Sequence, residues 1–376
     1  MPSDLEKLLK KLQSTIVAPD QKSQNAARER QKTLTKPRGS LGRLEELSIW
    51  LAGIQGTSKP IIQSKAVIVC TADHGVTAEG VSAYPSAVTP AMVQNFLAGG
   101  AGINAIARVV GAQVWVLDVG VASQLAPHPK LLSAKVRLGT QNIRYQAAMT
   151  RAETIQAILA GAHAAKELID DGANIIVAGD MGIGNTTAAS AMTMWYAKTS
   201  LEQSIGRGTG INDSTFNQKR LVVQEAVARA KLAPELDNLT GLEQLDALTG
   251  LEQLDTLTGL TELGGLEIAA MTGIMLQGAA SRVAVLVDGF IAGAAALAAC
   301  ALAPMTREYL CATHVSVEPG HIAQLKFLGL EPLFNLGLRL GEGTGATLAI
   351  PMLEAAARTL SEMATFESAS VPDKTG

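Results

Sequence analysis

Four short, continuously apolar runs occur along the chain, and each is followed by small or acidic residues and then by a helical pattern of apolar positions. An apolar run without polar alternation predicts a strand that is buried on both faces. Such strands, alternating with helices, predict an α/β fold in which helices cover both faces of a parallel sheet. Ligands of such sheets bind where the strands end, which is where the acidic and glycine-rich turns fall. The runs are Ala66–Cys70, Val114–Leu117, Asn174–Val177 and Val283–Val287.

The first part of the chain, Ser3 to Gly56, has helical rather than strand-like spacing. The segment Lys36–Ser40 contains Pro37 and Gly39 and predicts a break between helices. We expect Ser40 to cap the helix that follows, because serine side chains accept hydrogen bonds from free amides at helix starts. That helix carries apolar residues at helical spacing, namely Leu41, Leu44, Leu47 and Leu51.

A nine-residue repeat interrupts this pattern. Leu239–Ala247 recurs as Leu248–Thr256 and, more loosely, as Leu257–Gly265. Three copies of this length are too few for a solenoid domain. We interpret the segment 239–265 as a duplicated insertion in a surface connection, and an element that binds a partner remains the alternative.

The composition excludes several classes of protein. The chain is 47% hydrophobic and 17% charged with a net charge of −3, so it has no basic field for nucleic acid. Its three cysteines are far apart and predict buried thiols in a reducing compartment. Met1–Lys11 lacks the pattern of a signal peptide, and the apolar run Val283–Pro304 contains Asp288, so we expect no membrane span. We predict a cytoplasmic protein.

Two glycine clusters have the composition of a phosphate site. Gly179–Thr187 follows a predicted strand and precedes a helix, so converging amides and the helix dipole would suit a phosphate there. Gly206–Gly210 adds further backbone donors, and Lys219 follows shortly after it. The alternatives are a tight strand–helix turn and a solvated surface lysine. The phosphate-binding candidates from these clusters are Gly182, Gly184, Asn185, Thr186 and Gly208.

The clusters contain no run of paired aspartates, which predicts a monophosphate held without a metal and an enzyme without a cofactor. The five histidines lack the spacing of zinc ligands. Aspartates that follow three of the predicted strands, Asp73, Asp180 and Asp288, could still converge on a metal. His74 lies in a loop at the end of a predicted strand, and the alternative to a role in ligand binding is a core histidine that donates to a backbone carbonyl. A pair formed by Glu318 and His321 is disfavoured, because Pro319 between them predicts a loop.

Glu342 lies between Gly341 and Gly343 at the start of an apolar helix, where a substrate could approach its carboxylate closely. Burial would raise its pKa and the helix start would lower it, and a carboxylate in such surroundings can act as a general base. An acidic N-terminal cap is the alternative. The loop with Ser82 and Tyr84 offers a hydroxyl and an aromatic ring to a flat heteroaromatic ligand.

Taken together, five motifs resemble the nicotinate-nucleotide:dimethylbenzimidazole phosphoribosyltransferase family of cobalamin nucleotide-loop assembly. They occur in the family's order between about Lys36 and Phe366. The resemblance implies a Rossmann-like parallel sheet and a smaller, mostly helical domain built from the chain ends. The motifs are Ala72–Val76, Gly80–Ser82, Gly182–Thr187, Val287–Phe290 and Arg339–Gly343.

The resemblance also implies roles for single residues and for the assembly. Glu342 matches the catalytic base, and Asp180 supplies a carboxylate where family members usually carry glutamate. The positions expected near the nucleotide phosphate match Gly182, Gly184, Lys219 and Ser316. The benzimidazole pocket matches Ser82, Tyr84 and Leu340. A homodimer is implied, with residues 1–56 and 336–376 in the small domain and 57–335 in the large one.

The substrates would be nicotinate mononucleotide and dimethylbenzimidazole. Two alternatives remain open: the same donor with another acceptor, such as adenine or a phenol, and a non-catalytic nucleotide sensor. Glu342 distinguishes the sensor from the enzyme, because a sensor needs no bare carboxylate beside an acceptor.

Overall fold

A computed structural model describes residues 3–236 and 256–372. Within these residues one six-stranded sheet forms the centre of the fold, in the order β3-β2-β1-β4-β5-β6, and every neighbouring pair of strands is parallel. This is the strand order of a doubly wound Rossmann-like sheet, which confirms the predicted fold class. The strands are β1 (Lys65–Ala72), β2 (Gln113–Gly120), β3 (Leu131–Ser133), β4 (Ile175–Met181), β5 (Ala284–Val287) and β6 (Leu310–Ala312).

Helices connect the strands and cover the sheet. They are α1 (Asp4–Ser14), α2 (Gln21–Thr33), α3 (Arg43–Gln55), α4 (Val88–Leu97), α5 (Gly102–Val110), α6 (Arg151–Asp170), α7 (Asn185–Ala197), α8 (Leu201–Ser204), α9 (Asp213–Leu236), α10 (Thr258–Leu263), α11 (Leu266–Ala280), α12 (Phe290–Leu302), α13 (Pro319–Leu328) and α14 (Thr344–Glu362). Short 3₁₀ turns cover Gly75–Glu79 and Pro304–Tyr309.

The two faces of the sheet enter two separate hydrophobic cores. Successive side chains of a strand point to opposite faces, so Ile68 and Cys70 pack with α6, α7, α11 and α12 on one side. Val67 and Val69 pack with α3, α5 and α14 on the other side. Both faces are therefore dry, which is why the strands have continuous apolar sequences. The run Val283–Pro304 forms β5 and the buried helix α12, and no helix of the described residues is long and apolar enough to cross a membrane.

The two ends of the chain meet. Arg30 of α2 donates to the carbonyl oxygens of Leu360 and Ser361 near the end of α14. Leu34 forms an antiparallel bridge with Thr365, and Ala27, Ala52 and Leu360 form a small apolar cluster that joins α2, α3 and α14. The same helix α14 also packs on the sheet. The proposed boundaries of the small domain remain a prediction.

The prediction that Ser40 caps a helix is wrong. α3 begins at Arg43, its N-cap is Gly42 with φ +50°, and no side chain caps it. Ser40 lies instead in a turn in which its amide donates to the carbonyl of Pro37. The carboxylate of Glu45 accepts from the amide of Leu41, so the entry to the helix is satisfied without a serine.

The first two copies of the nine-residue repeat lie outside the described residues, apart from Thr256. The third copy is described, and for it the prediction of a surface connection is wrong. Its leucines recur at every third position along α10 and are buried, and Gly259 packs directly on the ring of Trp195. The third copy is therefore part of the core. The buried leucines are Leu257, Leu260 and Leu263.

Candidate active site

A cleft opens where β4, β5 and β6 end. The cleft brings together residues that the sequence places far apart, from the first glycine cluster to the loop before α14. The predicted site residues among its lining are Asp180, Gly182, Asn185, Thr186, Gly208, Ser316 and Leu340.

The first glycine cluster forms the turn from β4 into α7. Gly184 is the N-cap of α7 with φ +98°, a conformation that favours glycine. Gly182 lies so close to β1 that a Cβ there would be 2.5 Å from the carbonyl oxygen of Ala72. Gly184 does not line the cleft and packs on Thr77 and His74. The turn therefore presents backbone and the start of α7 to the cleft, as an anion site requires.

Lys219 lies behind this turn. Its side chain is fully buried, so the alternative of a surface lysine is wrong. Its Nζ donates to the Thr186 hydroxyl at 2.9 Å and to the Gly206 carbonyl at 3.0 Å. Burial lowers the pKa of Lys219 to about 8, which the nearby Glu318 carboxylate partly opposes. Lys219 thus connects the two glycine clusters and carries a poorly solvated positive charge beneath them.

Glu318 and His321 do not pair with each other. Glu318 accepts from the amide of Gly208 at 2.8 Å, and Nδ1 of His321 accepts from the amide of Ser316 at 2.9 Å. Burial lowers the pKa of His321 to about 3, so the ring is neutral. Pro319 is not in a loop but at the first position of α13, which the missing amide of proline allows.

Asp288 fixes the loop that carries Glu342, a role that the sequence does not indicate. It follows β5, and its two carboxylate oxygens accept from the amides of Gly343 at 3.2 Å and Ala346 at 2.9 Å. These amides lie at the start of α14. A carboxylate that caps a helix from another segment has no spacing signature in the sequence.

The Glu342 side chain is buried beside the cleft. Its Oε2 accepts from the amide of Ile103 at 3.0 Å, so it caps α5 and not the helix that follows it in the chain. Burial raises the pKa of Glu342, the Asp288 charge raises it further, and the hydrogen bond from Ile103 opposes both. The neighbouring Gly341 and Leu340 line the cleft itself. A carboxyl group in these surroundings can exchange a proton closer to neutral pH than an ordinary glutamate.

Asp180 is the penultimate residue of β4, and its carboxylate faces the same loop at Gly341. Its Oδ2 accepts from the side-chain amide of Asn185 at 2.9 Å, and its carbonyl accepts from the amide of Glu342 at 3.3 Å. Burial raises its pKa well above the ordinary value, and the charges of Asp288 and Glu267 add to the rise. The protonated form of Asp180 is therefore strongly favoured relative to an exposed aspartate.

The three residues predicted to bind the base are not all brought to the cleft. Leu340 lines it with 59% of its surface exposed. Ser82 and Tyr84 lie in the loop before α4, outside the lining, and the Ser82 hydroxyl accepts from the amide of Tyr84. The role of these three residues stays a prediction.

The three aspartates at the strand ends have separate partners. Asp73 accepts from the amide of Ala122 at 2.8 Å, whereas Asp180 and Asp288 have the partners given above. Within the part of the chain that the structure describes, no group of three or more His, Cys, Asp or Glu side chains could hold a metal ion. His74 is buried, as in the alternative of a core histidine, but its Nε2 contacts the Glu267 carboxylate at 2.6 Å and not a backbone carbonyl. Glu267 was missed because it lies in an apolar helix far from any motif.

Comparison with known proteins gives consistent matches over most of the chain. A nicotinate-nucleotide–dimethylbenzimidazole phosphoribosyltransferase of Deinococcus radiodurans is 50% identical, with 98% of this chain and 96% of that protein aligned. One of the same name from Chloroflexus aurantiacus is 48% identical over 96% of this chain and 99% of its own. The crystal structure of the Thermus thermophilus enzyme of that name is 46% identical, with a TM-score of 0.85 and coverage of 94% of this chain and 100% of that one.

The family model described as phosphoribosyltransferase matches residues 16–371, which include both glycine clusters and the Glu342 loop. With a match of this length, and with relatives at about half identity, the chain belongs to the phosphoribosyltransferase family.

Proposed function

We propose that the protein transfers the phosphoribosyl group of nicotinate mononucleotide to dimethylbenzimidazole, giving α-ribazole phosphate and nicotinate in cobalamin biosynthesis. The observation that carries the proposal is the buried Glu342 carboxylate, with its raised pKa, beside a cleft built from two glycine clusters. The names of the relatives support the choice of both substrates.

Glu342 supplies the general base. A neutral benzimidazole attacks the anomeric carbon of the ribose through one ring nitrogen, and the other ring nitrogen must lose its proton for the product to be neutral. The carboxylate of Glu342 accepts that proton as the new C–N bond forms. Nicotinate is already cationic at its ring nitrogen, so it takes the electrons of the breaking bond and leaves as a neutral pyridine without a general acid. Attack on the face opposite the leaving group inverts the anomeric carbon from β to α.

The glycine clusters hold the donor. The turn at Gly182 and Gly184, together with the start of α7 at Asn185 and Thr186, presents backbone and the positive end of a helix dipole to one phosphate. Lys219 supplies a positive charge behind Thr186. Gly208 and Ser316 complete the phosphate side of the cleft. Such fixed contacts orient the sugar between the two rings, which is where most of the rate gain of a transfer reaction arises.

Asp180 acts next to the base in this proposal. Its strongly raised pKa favours a neutral carboxyl group, which can donate a hydrogen bond to a substrate oxygen. Ser82, Tyr84 and Leu340 would form the benzimidazole pocket, with the loop before α4 moving towards the cleft when the base binds. The protein would act as a cytoplasmic homodimer.

The direct test is to incubate the purified protein with nicotinate mononucleotide and a panel of bases that includes dimethylbenzimidazole, adenine and phenol. We expect α-ribazole phosphate to form fastest. A faster product from adenine or phenol would replace the acceptor, and nucleotide binding without any product would favour the sensor. The Glu342→Gln protein is the matched control for product formed without the base.

A further inference from the structure

The motif Ala72–Gly75 contains a histidine that the proposed reaction does not use. His74 follows β1, and its Nε2 lies 2.6 Å from Oε1 of Glu267, the second residue of α11. Both side chains are completely shielded from solvent. The contact joins two segments that are almost two hundred residues apart in the chain.

Three glycines pack directly on this pair. A Cβ at Gly182 would lie 3.3 Å from Oε1 of Glu267 and 3.4 Å from Cδ2 of His74. A Cβ at Gly184 would lie 3.2 Å from Cβ of His74, and one at Gly265 would overlap Cε1 of His74. The backbone of the first glycine cluster therefore rests on the pair with no room for another side chain.

The pair is costly as a purely structural contact. Nδ1 of His74 and Oε2 of Glu267 are buried and have no hydrogen-bond partner among the described residues. An apolar pair of similar volume would fill the same space without leaving two polar atoms unsatisfied. A short hydrogen bond, unlike an apolar contact, fixes both the distance and the direction between its partners. These features favour a role in geometry over a role in stability.

We propose that His74 and Glu267 are positioning residues. They hold the backbone of the Gly182–Gly184 turn in the position in which it can bind the phosphate of the donor. This inference rests on the proposed function for the identity of the donor. The two residues act through the backbone above them and touch neither substrate.

The test compares His74→Leu, Glu267→Leu, Glu267→Asp and Glu267→Gln with the wild type. The first three remove the contact or lengthen it, and we expect each to raise the KM for nicotinate mononucleotide and the Kd for inorganic phosphate about tenfold. The KM for dimethylbenzimidazole should stay within about twofold, because the acceptor does not bind the turn. Glu267→Gln keeps an acceptor oxygen at the same reach and should keep phosphate affinity near the wild-type value. The double variant with leucine at both positions should bind inorganic phosphate no more weakly than either single leucine variant, because both single changes remove the same contact.

Gln31→Leu is the control for loss of a buried hydrogen bond elsewhere. Gln31 donates to the Ser48 hydroxyl at 2.9 Å between α2 and α3, away from the cleft. The Gln31→Leu variant should have a lower melting temperature than the wild type and an unchanged Kd for inorganic phosphate. If the variants of the pair behave like this control, the positioning role is wrong. Should the leucine variants not fold, Glu267→Asp decides the question by the same comparison. Phosphate affinity is measured without turnover, so a failure of the proposed reaction would not be confused with a failure of this inference.

Discussion

At the scale of single residues, the carboxyl group of Glu342 experiences two opposing effects on its pKa. Glu342 accepts the backbone amide of Ile103 at the start of α5, which favours its charged form, while burial disfavours that form. For Glu342 burial dominates and the pKa is raised. The same side chain is thus the predicted base and an N-terminal cap, so the two interpretations offered by the sequence are compatible, although the capped helix is α5.

Replacement of Glu342 by glutamine separates these two roles. Glutamine keeps an oxygen that can accept from the amide of Ile103 but cannot take a proton from the acceptor. We expect transfer under saturating substrates to fall by about 10²–10⁴-fold. Binding of nicotinate mononucleotide, measured by calorimetry, should change only a few-fold. A variant that keeps more than half of the wild-type rate would exclude Glu342 as the base.

Lys219 makes stability depend on pH in a direction unusual for a lysine. Its pKa is about 8 in the folded protein against 10.5 for the free side chain, so between these values the unfolded chain binds more protons. The contribution of Lys219 to the free energy of unfolding therefore rises as the pH increases from about 8 to 10.5. Below pH 8 the buried side chain is charged, and its full desolvation cost lowers the free energy of unfolding.

We expect the unfolding free energy of the wild type, relative to Lys219→Met, to rise by about 1–2 kcal/mol between pH 7.5 and pH 9.5. Urea unfolding of both proteins at several pH values measures this difference, and groups that titrate in both proteins cancel. A difference that is flat with pH would mean that Lys219 keeps its proton in the folded state.

At the scale of elements, the sequence identified the long and regular pieces. The four apolar runs correspond to β1, β2, β4 and β5, because strands buried on both faces consist mostly of apolar residues. β3 and β6 have three residues each, too few for any pattern, and only pairing with a neighbouring strand defines them. The prediction of a surface connection is wrong for the third repeat copy, because leucines at this spacing fit a buried helix as well as a surface turn.

Candidate site residues could be predicted where glycine or charge marks a turn, as for Gly182, Asp180 and Glu342. Their partners could not be predicted. The contacts of Glu342 with Ile103, of Gly208 with Glu318, and of His74 with Glu267 all join segments far apart in the chain. Such pairs are set by how the elements pack, and a single sequence does not contain that information.

The repeat supplies a prediction about elements. Deletion of Leu248–Thr256 should leave the transfer rate within about twofold, because the number of residues in a connection affects the closure entropy only slightly. The deletion places Ala247 before Leu257, and its backbone carbonyl can replace that of Thr256, which accepts from the Tyr196 hydroxyl at 2.9 Å. Activity and melting temperature of the shortened protein measure the effect.

Deletion of the third copy, Leu257–Gly265, is the matched control. It also removes nine residues, but it takes three buried leucines from the core and should prevent folding. Loss of folding or of dimers after the first deletion would instead show that the second copy is a structural or partner-binding element.

At the scale of the whole molecule, one edge of the sheet assembles the site. The ends of β4, β5 and β6 contribute Asp180, Asp288 and Ser316, and the loop before α14 adds Glu342 beside them. The two glycine clusters line the cleft with backbone, and Lys219 lies buried behind Thr186, whereas the carboxylates have amide partners or are buried. This arrangement suits a monophosphate donor better than a metal-bound pyrophosphate.

We therefore expect full transfer activity in excess EDTA. The donor carries no pyrophosphate that would chelate a divalent ion, and the leaving nicotinate develops no negative charge on its ring nitrogen. Initial rates with and without the chelator, each followed by added magnesium, measure the effect. Activity that is lost in EDTA and restored by magnesium would mean that Asp73, Asp180 and Asp288 form a metal site.

The strand order also has a consequence for synthesis on the ribosome. β1 occupies the middle of the sheet, yet its partner β4 is about 110 residues further along the chain, which corresponds to roughly 5–20 s of translation. The backbone groups of β1 that pair with β4 therefore stay unpaired while the nascent chain grows. Glu342, the proposed base, emerges later still, after all six strands of the sheet. Slower decoding between β1 and β4 would prolong the exposure of these backbone groups, and aggregation of nascent chains should increase accordingly.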